Sequence, residues 1–312
     1  MATSNGLDPS VAAQHKEPSR MSRRNRWIGY LFIAPWLVGF LVFGLYPFLA
    51  SLFYSFTSYD IFTPARWFGL HNYTHLFAHD PLFWTSLWNT LYYTIFMVPI
   101  GAVIGIIIAL ILNMKVKGMA GYRTIYYLPT ILPMVASSIL WIWLFNPSFG
   151  IINSLLRLVH IHGPGWLFDP NWVKPSMIIM SLWGVGGTVI IYLAGLQDVP
   201  QELYESADLD GAKWYHKIRY VTLPMISPVI FFNVIMGLIG SFQYFTQAFV
   251  MTQGGPDNSS LFYALYLYQQ AFQYFHMGYA SAMAWVLFVI ILLATLLVFR
   301  TSAKWVYYGG ER

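Results

Sequence analysis

Long apolar runs, cut by short polar interruptions, set the pattern of this chain. Six stretches contain no Asp, Glu, Lys or Arg: 27–59, 81–114, 124–156, 175–197, 220–256 and 258–299. About 20 apolar residues cover the hydrocarbon core of a bilayer, so each stretch can hold one spanning helix with its flanks. The expected helices cover about 27–50, 86–112, 125–145, 175–196, 227–251 and 279–299. Pro35 and Pro47 fall inside the first, and Pro129 and Pro133 should bend the third. Membrane bundles tolerate such prolines because neighbouring groups satisfy the freed carbonyls. Gly101 and Gly105 give the second helix a small-xxx-small face suited to close packing. Trp172, Tyr266 and Trp305 sit where an interfacial aromatic belt is expected.

Six spans put both termini on one side, and the basic residues say which. Lys16, Arg20, Arg23, Arg24 and Arg26 precede the first helix; Lys115, Lys117 and Arg123 follow the second; Lys213, Lys217 and Arg219 lie between the fourth and fifth; Arg300, Lys304 and Arg312 follow the sixth. These are 14 of the 17 basic residues, against Arg66, Arg157 and Lys174 on the opposite face. Positive residues stay inside, so both termini are expected in the cytoplasm. The net charge of +5 then reflects orientation, with no nucleic-acid partner required. Composition agrees: 57% of residues are hydrophobic and 9% charged, where soluble domains carry about a quarter charged. The expected organisation is a cytoplasmic tail over 1–26 that is mobile up to about Met21, a membrane domain over 27–300, and a cytoplasmic tail over 301–312. The first apolar run is too long for a signal-peptide core and has no small-residue cleavage site, so it reads as an uncleaved helix. The absence of cysteine excludes disulfides and thiolate chemistry.

What the helices lack bears on the energy source. Their middles hold no Asp, Glu, Lys, Arg or His, which disfavours a secondary sugar carrier coupled to protons through such groups. No Gly-Lys-Ser or Gly-Lys-Thr of a phosphate-cradling loop occurs either, so any ATP and its Mg must be bound by another subunit, and this chain needs no cofactor of its own. The polar groups within the helices are neutral: Ser137, Ser138, Ser181, Thr188, Asn233, Ser241, Gln243 and Gln247. Hydroxyls and amides suit a neutral, hydroxyl-rich solute, although the same groups also serve to join helices. An intramembrane enzyme acting on lipid-linked sugar is the rival of a different class; it would need paired carboxylates or a metal site at the membrane surface. His71, His75 and His79 are spaced for one helical face, but in an aromatic loop this spacing is usually incidental and no metal is expected.

The segment between the fourth and fifth helices concentrates five of the chain's 12 acidic residues: Asp198, Glu202, Glu205, Asp208 and Asp210. Pro200 starts a helix there, the early acids complement its positive end, and Gly211 permits a stop at positive φ. A second short helix from about Lys213, ending before Pro224, completes an exposed hairpin. Glu205, Ala207, Asp210, Gly211, Ala212, Leu223 and Pro224 match the EAA loop, Glu-Ala-Ala then Asp-Gly-Ala then Leu-Pro, with Ser206 in place of the middle alanine. The chain therefore resembles the permeases of bacterial binding-protein-dependent ABC importers, within them the maltose and glycerol-phosphate group. Phe68-Gly69-Leu70, Asn72-Tyr73, Asn89-Thr90, Leu128-Pro129, Val199-Pro200 and Gly254-Gly255-Pro256 extend the likeness over nearly the whole chain.

The resemblance implies an all-α type I ABC importer permease fold in the bacterial inner membrane, a transport subunit rather than an enzyme. It implies as partners a second permease of different sequence, two ATP-binding subunits and an extracytoplasmic solute-binding protein that delivers a sugar. Glycerol phosphate or another neutral solute is the alternative cargo. The EAA loop, about 198–224, would couple to the ATPase through Glu205, Ala207, Asp210, Gly211 and Ala212. The family places cargo contacts on the helices flanking that loop. On the fourth helix Ser181, Trp183, Gly184, Gly187 and Thr188 interrupt an aliphatic run; on the fifth Gly237, Ser241 and Tyr244 recur at spacings that share a face. A pyranose has an apolar CH face and many hydroxyls, so an aromatic ring beside neutral hydrogen-bonding groups fits it.

Overall fold

The computed structural model describes residues 23–114 and 116–307. Expectations that rest on 1–22, Lys115 and 308–312, including those for the mobile tail and Arg312, lie outside the described residues. The chain divides into two compact units, 1–51 and 52–312. In the first, α1 (Arg23–Gly39) passes through wider π-helical turns at Phe40–Leu45 into α2 (Tyr46–Ser55). Those turns lie between Pro35 and Pro47, the two places where the hydrogen-bond ladder lacks a donor.

The second unit takes in the last turn of α2 and then a small antiparallel hairpin, β1 (Thr57–Ser58) and β2 (Arg66–Trp67), with Thr57 opposite Trp67. Then come α3 (His71–Ala78), α4 (Pro81–Leu112), α5 (Met119–Ile131), α6 (Met134–Leu144) and α7 (Ile151–Leu158). Next are α8 (Val173–Trp183), α9 (Gly186–Gln197), α10 (Gln201–Leu209), α11 (Trp214–Lys217) and α12 (Leu223–Met225). The last are α13 (Ser227–Phe242), α14 (Thr246–Met251), α15 (Tyr263–Tyr268) and α16 (Met277–Ser302).

Among the described residues four helices are long and apolar enough to cross a membrane: Ile28–Ser55, Pro81–Leu112, Ser227–Met251 and Met277–Ser302. Two bent pairs, α5 with α6 and α8 with α9, meet the same test only when taken together. Their bends are 99° and 47°. The third expected helix is thus broken, because Pro133 lacks an amide and biases Leu132 to the extended backbone it adopts (ψ 134°). The fourth breaks at Gly184 and Val185, where the sequence suggested no interruption.

The helix α4 is the mast of the second unit, packing against α8, α9, α13 and α15. Asp80 caps its start: one carboxylate oxygen accepts from the amides of Leu82 (2.9 Å) and Phe83 (3.1 Å). The other oxygen accepts from the hydroxyls of Tyr266 and Tyr279, so one buried carboxylate joins α4, α15 and α16. Nearby, the Asn89 side-chain amide donates to the carbonyls of Asn258 and Leu261 and accepts from Lys174 Nζ at 3.1 Å. At the far end Arg123 donates to the Leu112 carbonyl at 3.0 Å, placing a cation at the negative helix terminus. The apolar interior has two centres. One gathers Phe83, Tyr93, Trp141, Phe145, Phe262, Tyr263 and Met283. The other gathers Ala109, Leu112, Val189, Tyr192, Leu193 and Ile226.

Candidate functional site

Between α4, α5, α6, α8, α9, α13 and α14 the fold leaves a cavity of about 600 Å³. All eight residues expected from the sequence to line a cargo path, Ser181, Trp183, Gly184, Gly187, Thr188, Gly237, Ser241 and Tyr244, line it. The glycines open space instead of serving as packing contacts. A Cβ on Gly187 would meet nothing within 4 Å, and one on Gly237 would only touch Val98 at 3.9 Å. The expected glycine face of α4 divides in two. Gly105 is held close to Tyr192, where a Cβ would come within 3.1 Å of the ring, whereas Gly101 faces the cavity.

Tyr244 corrects the expectation of a shared helical face. It falls in the break between α13 and α14, yet it is only 6% exposed and still reaches the cavity. Its ring lies 4.3 Å from that of Tyr93, whose hydroxyl donates to Ser181 Oγ at 2.7 Å; Ser181 in turn donates to the Met177 carbonyl. Trp183 stands edge-on to Trp141. Ser137, Asn233 and Gln247 complete the polar lining, while Ser138 turns back to the Met134 carbonyl and Gln243 is exposed. No Asp, Glu, Lys, Arg or His lines the cavity among the described residues. In chemical terms it offers hydroxyls, amides and rings, and no charge.

The sequence reading missed the α4 wall, Tyr93, Met97 and Ala102, and the deep residue Tyr192 on α9. Tyr93 falls on a buried stripe of Ser86, Asn89, Thr90 and Thr94 at helical spacing, whereas the apolar run after Thr94 leaves Met97 and Ala102 unmarked. Tyr192 did carry a signal, a phenol within the aliphatic run from Val189 to Leu193.

The second candidate region is the hairpin of α10 and α11. Gly211 has φ +73°, the left-handed conformation that favours glycine. Around it the Ala212 amide bonds the Ala207 carbonyl and the Gly211 amide bonds that of Asp208, the paired bonds of a Schellman stop. Past the turn the helical path does not end before Pro224 as expected. It runs through a π-helical turn at Ile218–Thr222 into α12, the wider turn accommodating the proline's missing amide. Lys217 pairs with Asp208 at 2.7 Å, and Tyr204 shares a hydrogen bond with Thr222 across the hairpin. Glu205, Asp210 and Gly211 are exposed and Ala207 and Ala212 half-buried; Glu205 has no side-chain partner among the described residues. Leu209 is 91% exposed and Trp214 71%. The hairpin thus exposes large apolar side chains directly beside its acids.

The three histidines mark a different place. His71 and His75 lie on α3 and His79 just beyond it. With Asp60, Asp80, Tyr266, His276 and Tyr279 they line a second cavity of about 380 Å³. Among the described residues no three His, Cys, Asp or Glu side chains are grouped so as to hold a metal ion.

Residues 101–306 match the family described as binding-protein-dependent transport system inner membrane component. The chain belongs to that family. This permease is 43% identical to the probable ABC transporter permease protein YesP of Bacillus subtilis (strain 168), over 99% of each chain. It is 35% identical to the lactose transport system permease protein LacF of Rhizobium radiobacter, over 88% of this chain and 94% of that one. In structure the permease is similar to a chain of the bacterial alginate ABC transporter crystallised with an alginate pentasaccharide-bound periplasmic protein. The TM-score is 0.79 and the identity 25%, covering 89% of the permease and 95% of that chain. As its fold and relatives are those of transport subunits, the permease is not an enzyme.

Proposed function

We propose that this chain is one membrane half of an ATP-driven importer that carries a neutral sugar or oligosaccharide into the cytoplasm. The observation that carries the reading is the cavity, whose walls join hydroxyls, amides and aromatic rings with no ionisable carboxylate, imidazole or cation. Carbohydrate needs such a surface, a ring for its CH face and neutral groups for its hydroxyls. Relatives named for lactose and for arabinooligosaccharides support a saccharide over glycerol phosphate, whose charge the cavity leaves unpaired.

In this reading the two bent pairs count as one span each. The membrane domain over 27–300 then crosses the bacterial inner membrane six times, with both tails in the cytoplasm as the basic residues favour. A second, different permease faces the cavity, and a solute-binding protein delivers the sugar from outside. Two ATP-binding subunits, which hold the ATP and Mg, receive the hairpin through Glu205, Ala207, Asp210, Gly211 and Ala212. The test is reconstitution of the permease with these partners in proteoliposomes, assayed with radiolabelled lactose, maltose, trehalose and arabinotriose. ATP-dependent accumulation of at least one of them is expected; accumulation of none, or accumulation without ATP, refutes the reading.

A further inference from the structure

At the end of the cavity nearest the coupling hairpin, the fold buries a hydroxyl and gives it nothing to bond. Tyr192 on α9 is fully buried and lines the cavity, and its hydroxyl has no hydrogen-bond partner among the described residues. An unpaired buried hydroxyl is costly, and phenylalanine would fill the same space without that cost. The neighbours account for the ring alone: Gly105 on α4 leaves room for it, and Val189, Leu193 and Ile226 belong to the same apolar cluster. The oxygen is left over.

Its position along the path is informative. Tyr192 follows Thr188 by one turn of α9, and Ser181 stands eleven residues earlier, on α8 beyond the 47° bend. At that other level the Tyr93 hydroxyl bonds Ser181, while the buried Tyr244 hydroxyl beside it has no partner among the described residues, as at Tyr192. A polar group that enters the cavity can supply the bond that the protein does not.

We infer that Tyr192 contacts the cargo: its hydroxyl, which no described protein group pairs, forms its hydrogen bond with a saccharide hydroxyl that reaches the hairpin end of the cavity. This rests on the reading of the cavity as a sugar path. Phenol and sugar hydroxyl can each donate and accept, so the pair forms whichever gives the proton. The contact would come late in transit, one short helical stretch before the segment that meets the ATPase.

Tyr192→Phe tests this, since it keeps the ring against Gly105 and removes only the oxygen. The complete transporter is assayed in proteoliposomes with whichever of lactose, maltose, trehalose and arabinotriose the wild type accumulates. Loss of one hydrogen bond should lower kcat for uptake about 5- to 10-fold. KM for the loaded binding protein, complex assembly and basal ATP hydrolysis should stay at wild-type values. Unchanged kcat together with a raised thermal midpoint would show the hydroxyl to be only a buried defect and overturn the inference. A wild type that accumulates none of the four sugars would remove the sugar-path reading, and this inference with it.

Discussion

The cavity and the hairpin solve opposite problems with the same chain. The cavity gathers residues from seven helices, the most distant more than a hundred positions apart, and keeps every charge out. The hairpin is made of one run, 201–225, and holds exposed acids, an exposed tryptophan and an ion pair. In the proposed function one receives whatever passes through and must release it. The other presents a fixed surface to a fixed partner. A site built to let go avoids strong charge-assisted bonds, whereas a docking surface can use them freely.

The largest effect is expected where the contrast is sharpest. Gly211→Asp forces a side chain into a backbone with φ +73°, and Glu205→Ala removes an unpaired acid from the docking face. Each should lower sugar-stimulated ATP hydrolysis of the assembled transporter about 30-fold, the scale of an interface hot spot. Sugar binding to the solute-binding protein should be untouched. Full stimulation in both variants would take the hairpin out of the coupling path.

On the cavity side, Tyr244→Ala and Trp183→Ala remove two of the four rings at its wall. Uptake should fall about tenfold in each, in line with the loss of an aromatic contact, while subunit assembly is preserved. Wild-type uptake in both would place the cargo elsewhere. The smallest effect belongs to the hairpin's ion pair. Lys217→Ala breaks the bridge to a carboxylate that is 60% exposed, so the thermal midpoint should reflect less than about 1 kcal/mol. A larger shift would mean that the hairpin relies on internal charge pairing for its shape.

The two regions also differed in how far the sequence disclosed them. The hairpin was readable because its stop glycine, its acids and its Leu223–Pro224 end lie within about two dozen consecutive positions, and only the helical path across Pro224 escaped. The cavity was half readable. Glycines and hydroxyls interrupting aliphatic α8, α9 and α13 pointed to one wall, but on α4 the stripe of Ser86, Asn89, Thr90, Tyr93 and Thr94 was not read as an inward face and Gly101 was read as a packing contact. Likewise the proline-driven bend between α5 and α6 was foreseeable as a direction, whereas its 99° size depends on tertiary packing. The break after Trp183 has no proline, and Gly186 explains why it is tolerated: a Cβ there would stand 2.6 Å from the Tyr126 carbonyl oxygen, so the two bent pairs meet backbone to backbone.

Asp80, held by two amides and two tyrosines, fastens the starts of α4 and α16 to each other at a single point. Two rods pinned at one end act as a lever. The 32 residues of α4 extend about 48 Å from that pin, so a tilt of about 5° barely moves the pinned end but carries the other about 4 Å. A pull delivered at the far end is thereby geared down toward the fastened one.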